Sequence, residues 1–213
     1  MNNSSNAAAK IAQFLLEIKA IRLQPENPFT WASGWKSPIY SDNRLSLSYP
    51  EIRTFVKKAM GELIKTNFPN AEAIVGVATA GIAPGALIAD ELNLPFGYVR
   101  SEAKKHGMGK QVEGNIPEGC KVVVIEDLVS TGKSSLQAVD SLRAHGADVL
   151  GLACIFTYGF EAADKAFQDA NCRYISLSNY HVLLETALKT GAIQEEQLGL
   201  LADWRNDPGN WGK

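Results

Sequence analysis

Val122-Val123-Val124-Ile125 runs directly into Glu126-Asp127, and then into the small-residue stretch Leu128-Val129-Ser130-Thr131-Gly132-Lys133-Ser134-Ser135. An unbroken apolar, β-branched run is what a strand covered on both faces looks like, and such strands belong to parallel sheets flanked by helices. Leu136, Val139 and Leu142 then recur at helical spacing, and Gly146 stands just past the expected helix end. The segment from Leu128 to Ser134 therefore leaves the carboxyl end of a strand and opens a helix. Backbone N–H groups at a helix start have no intrahelical partner and carry the positive end of the dipole, so an anion is favoured there. Thr131, Ser134 and Ser135 add hydroxyl donors, and Gly132 lets the backbone approach a ligand closely.

Gly132-Lys133-Ser134 has the ending of a nucleotide-binding P-loop, but that motif needs another glycine five positions earlier, against the phosphate oxygens. Asp127 stands there, with Glu126 beside it. Carboxylates would repel bare phosphates, whereas they accept hydrogen bonds from hydroxyls or reach a hydrated cation. A monophosphate next to a diol, as in a ribose 5-phosphate, satisfies both parts of the pattern. The competing reading is an ordinary strand-turn-helix whose acids cap the helix or stay solvated.

Further strands are expected at Ala73–Ala78, Phe96–Arg100, Val149–Thr157 and Arg173–Leu177. Helices are expected at Asn6–Ala20, Pro50–Phe68, Ala83–Leu92, Phe160–Ala170, Val182–Lys189 and Glu195–Trp204. This alternation predicts an α/β fold: a mostly parallel, Rossmann-like central sheet with helices on both faces. Its ligands bind beyond the strand carboxyl ends. A chain of 213 residues, 46% hydrophobic, suits one domain, 1–213. The net charge of -2 argues against nucleic acid as a partner. No apolar run approaches the roughly 18 residues of a membrane span, and MNNSSNAAAK lacks the apolar core of a signal peptide. Cys120, Cys154 and Cys172 are odd in number, lack metal-type spacing and lie in or beside apolar strand patterns; buried, reduced thiols and a cytoplasmic location are expected.

Two other segments carry chemistry. Ala78-Thr79-Ala80-Gly81 lies between a strand and a helix, where small residues let backbone N–H groups face a diphosphate; any short strand-to-helix turn shares that look. Ser101 to Gly119 is polar and too long for a routine connection. It holds Lys104, Lys105, His106 and Lys110, with Gly107, Gly109 and Gly114 as pivots for a lid. The plainer reading is a solvated basic loop.

The stretch Val122–Ser134 resembles the phosphoribosyl-diphosphate-binding motif of type I phosphoribosyltransferases: four apolar residues, two acids, two apolar residues, then Ser/Thr-Thr-Gly-x-Ser/Thr. Lys133 departs from the small residue more usual there. Phe29-Thr30-Trp31-Ala32-Ser33-Gly34-Trp35-Lys36-Ser37-Pro38-Ile39-Tyr40 resembles the hood segment of the orotate phosphoribosyltransferase family, and Arg100–Gly107 resembles that family's mobile catalytic loop. The resemblance runs from about Phe14 to Leu188 and implies the family's fold, with residues 1–45 as an N-terminal hood. It implies transfer of ribose 5-phosphate from phosphoribosyl diphosphate to orotate, a step of UMP synthesis. Phosphoribosyl diphosphate is expected at Thr79, Ala80, Arg100, Lys104, Lys105, His106 and the motif residues Glu126, Asp127, Leu128, Val129, Ser130, Thr131, Gly132, Lys133 and Ser134. Orotate is expected at Ser130, Lys36, Tyr40 and Tyr158. Lys104, His106 and Asp127 are the expected catalytic groups. Mg2+ is the implied cofactor, held mainly by substrate oxygens and water, and a homodimer sharing the lid loop is the implied assembly. Arg100-Ser101 stands where relatives often have Arg-Lys, Ala32 replaces a lysine, and Tyr158 replaces an arginine. A purine-base phosphoribosyltransferase and a non-enzymatic regulator that senses phosphoribosyl diphosphate are the alternatives.

Overall fold

The run Val122–Ile125 forms the interior of a nine-residue strand, Lys121–Val129, and all four of its side chains are wholly buried. The computed structural model describes residues 3–31, 33–101 and 111–212. In chain order its elements are α1 (Asn3–Glu17), β1 (Ile21–Leu23), β2 (Phe29–Thr30), β3 (Lys36–Ser37), β4 (Ile39–Ser41), α2 (Pro50–Asn67), β5 (Ala73–Val77), α3 (Ile82–Leu92), β6 (Phe96–Val99) and β7 (Val112–Glu113). There follow β8 (Lys121–Val129), α4 (Lys133–Ala144), β9 (Asp148–Thr157), α5 (Glu161–Asp169), β10 (Tyr174–Asn179), α6 (Tyr180–Lys189) and α7 (Leu198–Asn206). Short 3-10 turns occupy Asn43–Ser48 and Glu195–Gln197.

Six strands form one sheet in the order β10-β9-β8-β5-β6-β7. The β8–β9, β5–β8 and β5–β6 pairs are parallel, and only β7 on the edge is seen to run antiparallel to its neighbour. From the middle the chain winds outward in both directions, β5 to β6 through α3, and β8 to β9 through α4. Right-handed crossovers then put α3 on one face of the sheet and α4 on the other. The side chains of Val122 and Val124 alternate with Val123 and Ile125, so one strand supplies both cores. Val122 and Val124 pack with Val139 and Leu142 of α4 and Phe167 of α5.

The chain forms two compact units, Tyr49–Leu177, and Met1–Ser48 together with Ser178–Lys213. Within the second of these the C-terminal segment closes against the N-terminal one. Trp204 meets Trp31 edge-on at 5.7 Å, the Ser178 hydroxyl donates to the Ala8 carbonyl, and Gln197 Nε2 donates to Glu26. Sequence pattern alone predicted the C-terminal helices but not what they cover.

Two expectations change. Ser101–Gly119 is not one polar loop, because Val112–Glu113 pairs with β6 and both Val112 and Ile116 are buried. A single apolar residue on either side of Gly114 is too short a signal for periodicity to register. Gly114 itself, at φ +101°, is a packing residue rather than a pivot: a Cβ there would come within 2.9 Å of the Gly97 Cα. Cys154 and Cys172 are buried as expected, whereas Cys120 is only partly so. Burial raises all three thiols above their ordinary range, which keeps them protonated and inert.

The close approach that shapes the ligand end of the sheet is between backbones. A Cβ on Gly76 would meet the Gly81 carbonyl oxygen at 2.5 Å, and one on Gly81 would meet the Ile125 carbonyl oxygen at 2.4 Å. Main-chain atoms cannot step aside as a flexible side chain can. Gly76→Ala is expected to cost ~1–3 kcal/mol of stability, read as a lower urea midpoint at unchanged slope. A midpoint equal to wild type would show that the turn after β5 has room to move.

Candidate active site

β5 and β8 are adjacent, and between them the winding direction of the sheet reverses. In open α/β sheets the crevice for a ligand lies at the carboxyl ends of such a strand pair. The turns that leave these two strands, 78–81 and 130–132, are the two anion-holding segments expected from sequence, and register places them side by side because Gly76 pairs with Ile125.

At the end of β8 a cleft of about 280 Å³ is lined by Leu128, Ser130, Thr131, Gly132, Lys133, Ser134, Ser135 and Gln137. Gly132 starts α4 in the left-handed conformation, φ +79°, and a Cβ on it would meet the Phe167 ring at 2.7 Å. The glycine is thus required by backbone conformation and by packing from below the loop. Thr131, Lys133, Ser134 and Gln137 are exposed. Gln137 was not singled out in the sequence; its position one helical turn after Lys133 is the signal that places it on the same wall. The loop is anchored from β9, where the buried Thr157 hydroxyl donates to the Val129 carbonyl at 3.1 Å and accepts the Gly159 N–H at 3.1 Å.

The two acids lie on the strand itself and not beyond its end, since β8 continues to Val129. The pleat separates them. Glu126 is 6% exposed, with Oε1 accepting the Asp127 N–H at 3.1 Å and Oε2 accepting the Ser135 hydroxyl at 3.3 Å. Ser135, expected from sequence as a hydroxyl donor to an anion, is 1% exposed and turned to this carboxyl instead. Asp127 is half-buried. Burial first, and then the neighbouring Asp127 charge, push the Glu126 carboxyl up to about 8.

On the neighbouring turn Thr79 is exposed and Ala80 half-buried, and the Ala78–Thr79 peptide is cis. Arg100 sits at the end of β6, its backbone N–H donating to the Gln111 carbonyl and its guanidinium 3.7 Å from Glu113 on β7. Lys104, Lys105 and His106, like Lys110 and Ala32, lie outside the described residues. Tyr158 is 2% exposed, stacked on Phe160 at 5.3 Å with Phe156 edge-on at 5.6 Å.

In the other unit, β2 and β3 form a short hairpin in which Thr30 faces Lys36, and Lys36 Nζ donates to the Thr30 hydroxyl at 2.8 Å. Ser37 is buried, its hydroxyl donating to the Ile39 carbonyl, so it shapes the turn. Tyr40 is 37% exposed, with the Arg22 guanidinium 4.7 Å above its ring. Trp31 packs on Trp35 and Trp204. The aromatic residues of this segment thus differ: Trp31 packs against other tryptophans, while Tyr40 stays partly exposed beneath Arg22.

A family model described as a phosphoribosyl transferase domain matches residues 47–189, so fold and site together define a member of that class. Over 206 residues the chain is 53% identical to the orotate phosphoribosyltransferase of Bacteroides fragilis, covering 97% of each. Over 201 residues it is 54% identical to the orotate phosphoribosyltransferase of Lactococcus lactis subsp. cremoris, covering 94% of this chain and 96% of the relative. The crystal structure of orotate phosphoribosyltransferase from Aeropyrum pernix has the same fold, with a TM-score of 0.75 at 30% identity over 86% of this chain and 99% of that one. The chain belongs to the orotate phosphoribosyltransferase family.

The raised Glu126 carboxyl has a consequence for stability. In the unfolded chain this group ionises near its ordinary value of 4.5, while the folded protein keeps the proton up to about 8. The folded state therefore binds more protons in that window, and its stability, complete below pH 4.5, declines as pH rises to about 8. Glu126→Gln removes this decline. Thermal melting from pH 5 to 9 should show the variant gaining on wild type by ~1–3 kcal/mol at the alkaline end. Parallel curves for the two proteins would refute a buried proton on Glu126.

Proposed function

We propose that this chain transfers the ribose 5-phosphate group of phosphoribosyl diphosphate to a ring nitrogen of orotate, giving orotidine 5′-phosphate and pyrophosphate on the route to UMP. The observation that carries the proposal is the cleft of about 280 Å³ at the end of β8, walled by hydroxyls and a helix start and preceded directly by two acids. A phosphate monoester suits the helix start and the Thr131 and Ser134 hydroxyls. Asp127, the less buried of the two acids, suits the ribose diol and favours positive charge nearby.

In the reaction the bond between the sugar carbon and the diphosphate oxygen breaks, and a carbon–nitrogen bond to the base forms. Positive charge develops on the ribose and negative charge on the leaving pyrophosphate. Thr79 and Ala80, on the turn after β5, offer the diphosphate a backbone site, and Arg100 is the described cation nearest the lid segment in sequence. Lys104, Lys105 and His106 are proposed to neutralise the departing pyrophosphate, with Lys104 and His106 acting in the transition state itself. Orotate is already anionic, so no strong general base is required.

Among the described residues no group of three or more His, Cys, Asp or Glu side chains converges on one point. Asp127, the less buried of the two acids, would be the protein group nearest to Mg2+, which would be held mainly by substrate oxygens and water. Such an ion supplies charge neutralisation on the diphosphate. Ser130, Lys36 and Tyr40 are proposed to recognise orotate. Tyr158, the fourth residue of that set, would have to be uncovered first. A homodimer sharing the lid segment and a cytoplasmic location complete the proposal; no described helix is long and apolar enough to cross a membrane.

Incubation with phosphoribosyl diphosphate, Mg2+ and a panel of bases is expected to release pyrophosphate with orotate alone. Consumption of a purine in its place would identify a purine-base enzyme, and binding without turnover of any base would identify a sensor. Lys104→Ala is expected to lower kcat by roughly 100-fold, about 3 kcal/mol of transition-state stabilisation. Full turnover in that variant would remove the lid cation from the mechanism.

A further inference from the structure

Ser135 occupies the first turn of α4, a position where a serine ordinarily caps the helix or meets water. Here it does neither. Its side chain is 1% exposed, and its hydroxyl donates to Glu126 Oε2 at 3.3 Å. The other Glu126 oxygen accepts the Asp127 N–H at 3.1 Å. One oxygen of the buried carboxyl, Oε1, is therefore tied to the main chain at Asp127, and the other, Oε2, to the first turn of α4, which forms part of the cleft wall.

In ribose 5-phosphate a short, rotatable C5′ linker joins the phosphate to the ring that bears the diol, which confines their separation to a limited range. A site that recognises both must keep its acid and its helix start at a matching separation, and a direct side-chain bond between the two is an economical way to do so. We infer that Ser135 is a positioning residue, which acts through Glu126 to hold Asp127 in register with the phosphate-binding turn. This rests on reading the cleft as a ribose-phosphate site. A purely structural serine would stabilise the fold without favouring one substrate over the other. A positioning serine affects phosphoribosyl diphosphate and leaves orotate alone.

The test combines Ser135→Ala, Ser135→Thr, Glu126→Ala and the double variant S135A/E126A. Steady-state kinetics are measured together with calorimetric binding of ribose 5-phosphate. S135A is expected to raise KM for phosphoribosyl diphosphate and weaken ribose 5-phosphate by about tenfold, the usual loss for a hydrogen bond to a charged or buried carboxyl. KM for orotate should stay within about twofold of wild type, and S135T, which restores the hydroxyl, should recover most of the loss. Because the effect travels through Glu126, S135A should add less than about twofold in the E126A background. Equal penalties with and without Glu126, or equal changes in both KM values, would overturn the inference. If E126A does not fold, the S135T arm decides: no recovery overturns it. If wild type fails to convert orotate but S135A still weakens ribose 5-phosphate, the functional proposal falls and the positioning role stands. If wild type does not bind ribose 5-phosphate, both fall.

Discussion

The central strand is buried from Val122 to Ile125 and then has to carry Glu126 out of the core without leaving it uncompensated. A carboxyl with 6% exposure stays in such a place only if it keeps its proton or finds hydrogen bonds. Here both conditions operate, through the Asp127 N–H, the Ser135 hydroxyl and a raised affinity for the proton. The need to satisfy that one group couples the strand to the helix that follows it, and so fixes the mouth of the cleft. The same requirement explains why the first turn of α4 contains a serine facing inward while its neighbours Lys133 and Ser134 face out.

A second constraint is the tightness of main-chain packing beneath the site. The turn after β5 folds back so close to β5 and to β8 that Gly76, facing the turn, and Gly81, facing Ile125 of β8, have no space for a methyl group. Gly132 is closed from the other side by Phe167. These glycines let the turns after β5 and β8 lie close together, at a point where the sheet's winding reverses. Rigid support of this kind suits the proposed role of holding a charged, flexible sugar phosphate in one arrangement.

Much of this was legible along the chain. The parallel α/β fold follows from unbroken β-branched runs alternating with helical periodicity, and the strand-acid-acid-loop-helix order of residues 122–142 pointed to the segment that lines the cleft at the end of β8. Less legible were features that depend on only one or two residues. Val112 and Ile116 are buried, yet each stands alone in a polar stretch, so the edge strand β7 gave no periodic signal. Ser135 looked like one more hydroxyl in a hydroxyl-rich loop, because helical phase, and not residue type, turns it toward Glu126. Tyr158 follows a strand end and was expected near the base, but Phe156 and Phe160 enclose it.

Sequence by itself determined the alternation of the main strands and helices and the family, since these depend on local periodicity and on residues adjacent in the chain. Only the tertiary structure decided how the neighbouring acids differ, one buried with its proton affinity raised, the other half-buried. It also decided that Arg22 covers Tyr40 and that the C-terminal helix α7 packs on Trp31. The physical reason is the same throughout. Burial, hydrogen-bond partners and proton affinity are set by groups distant in sequence, and those become neighbours only when the chain has folded.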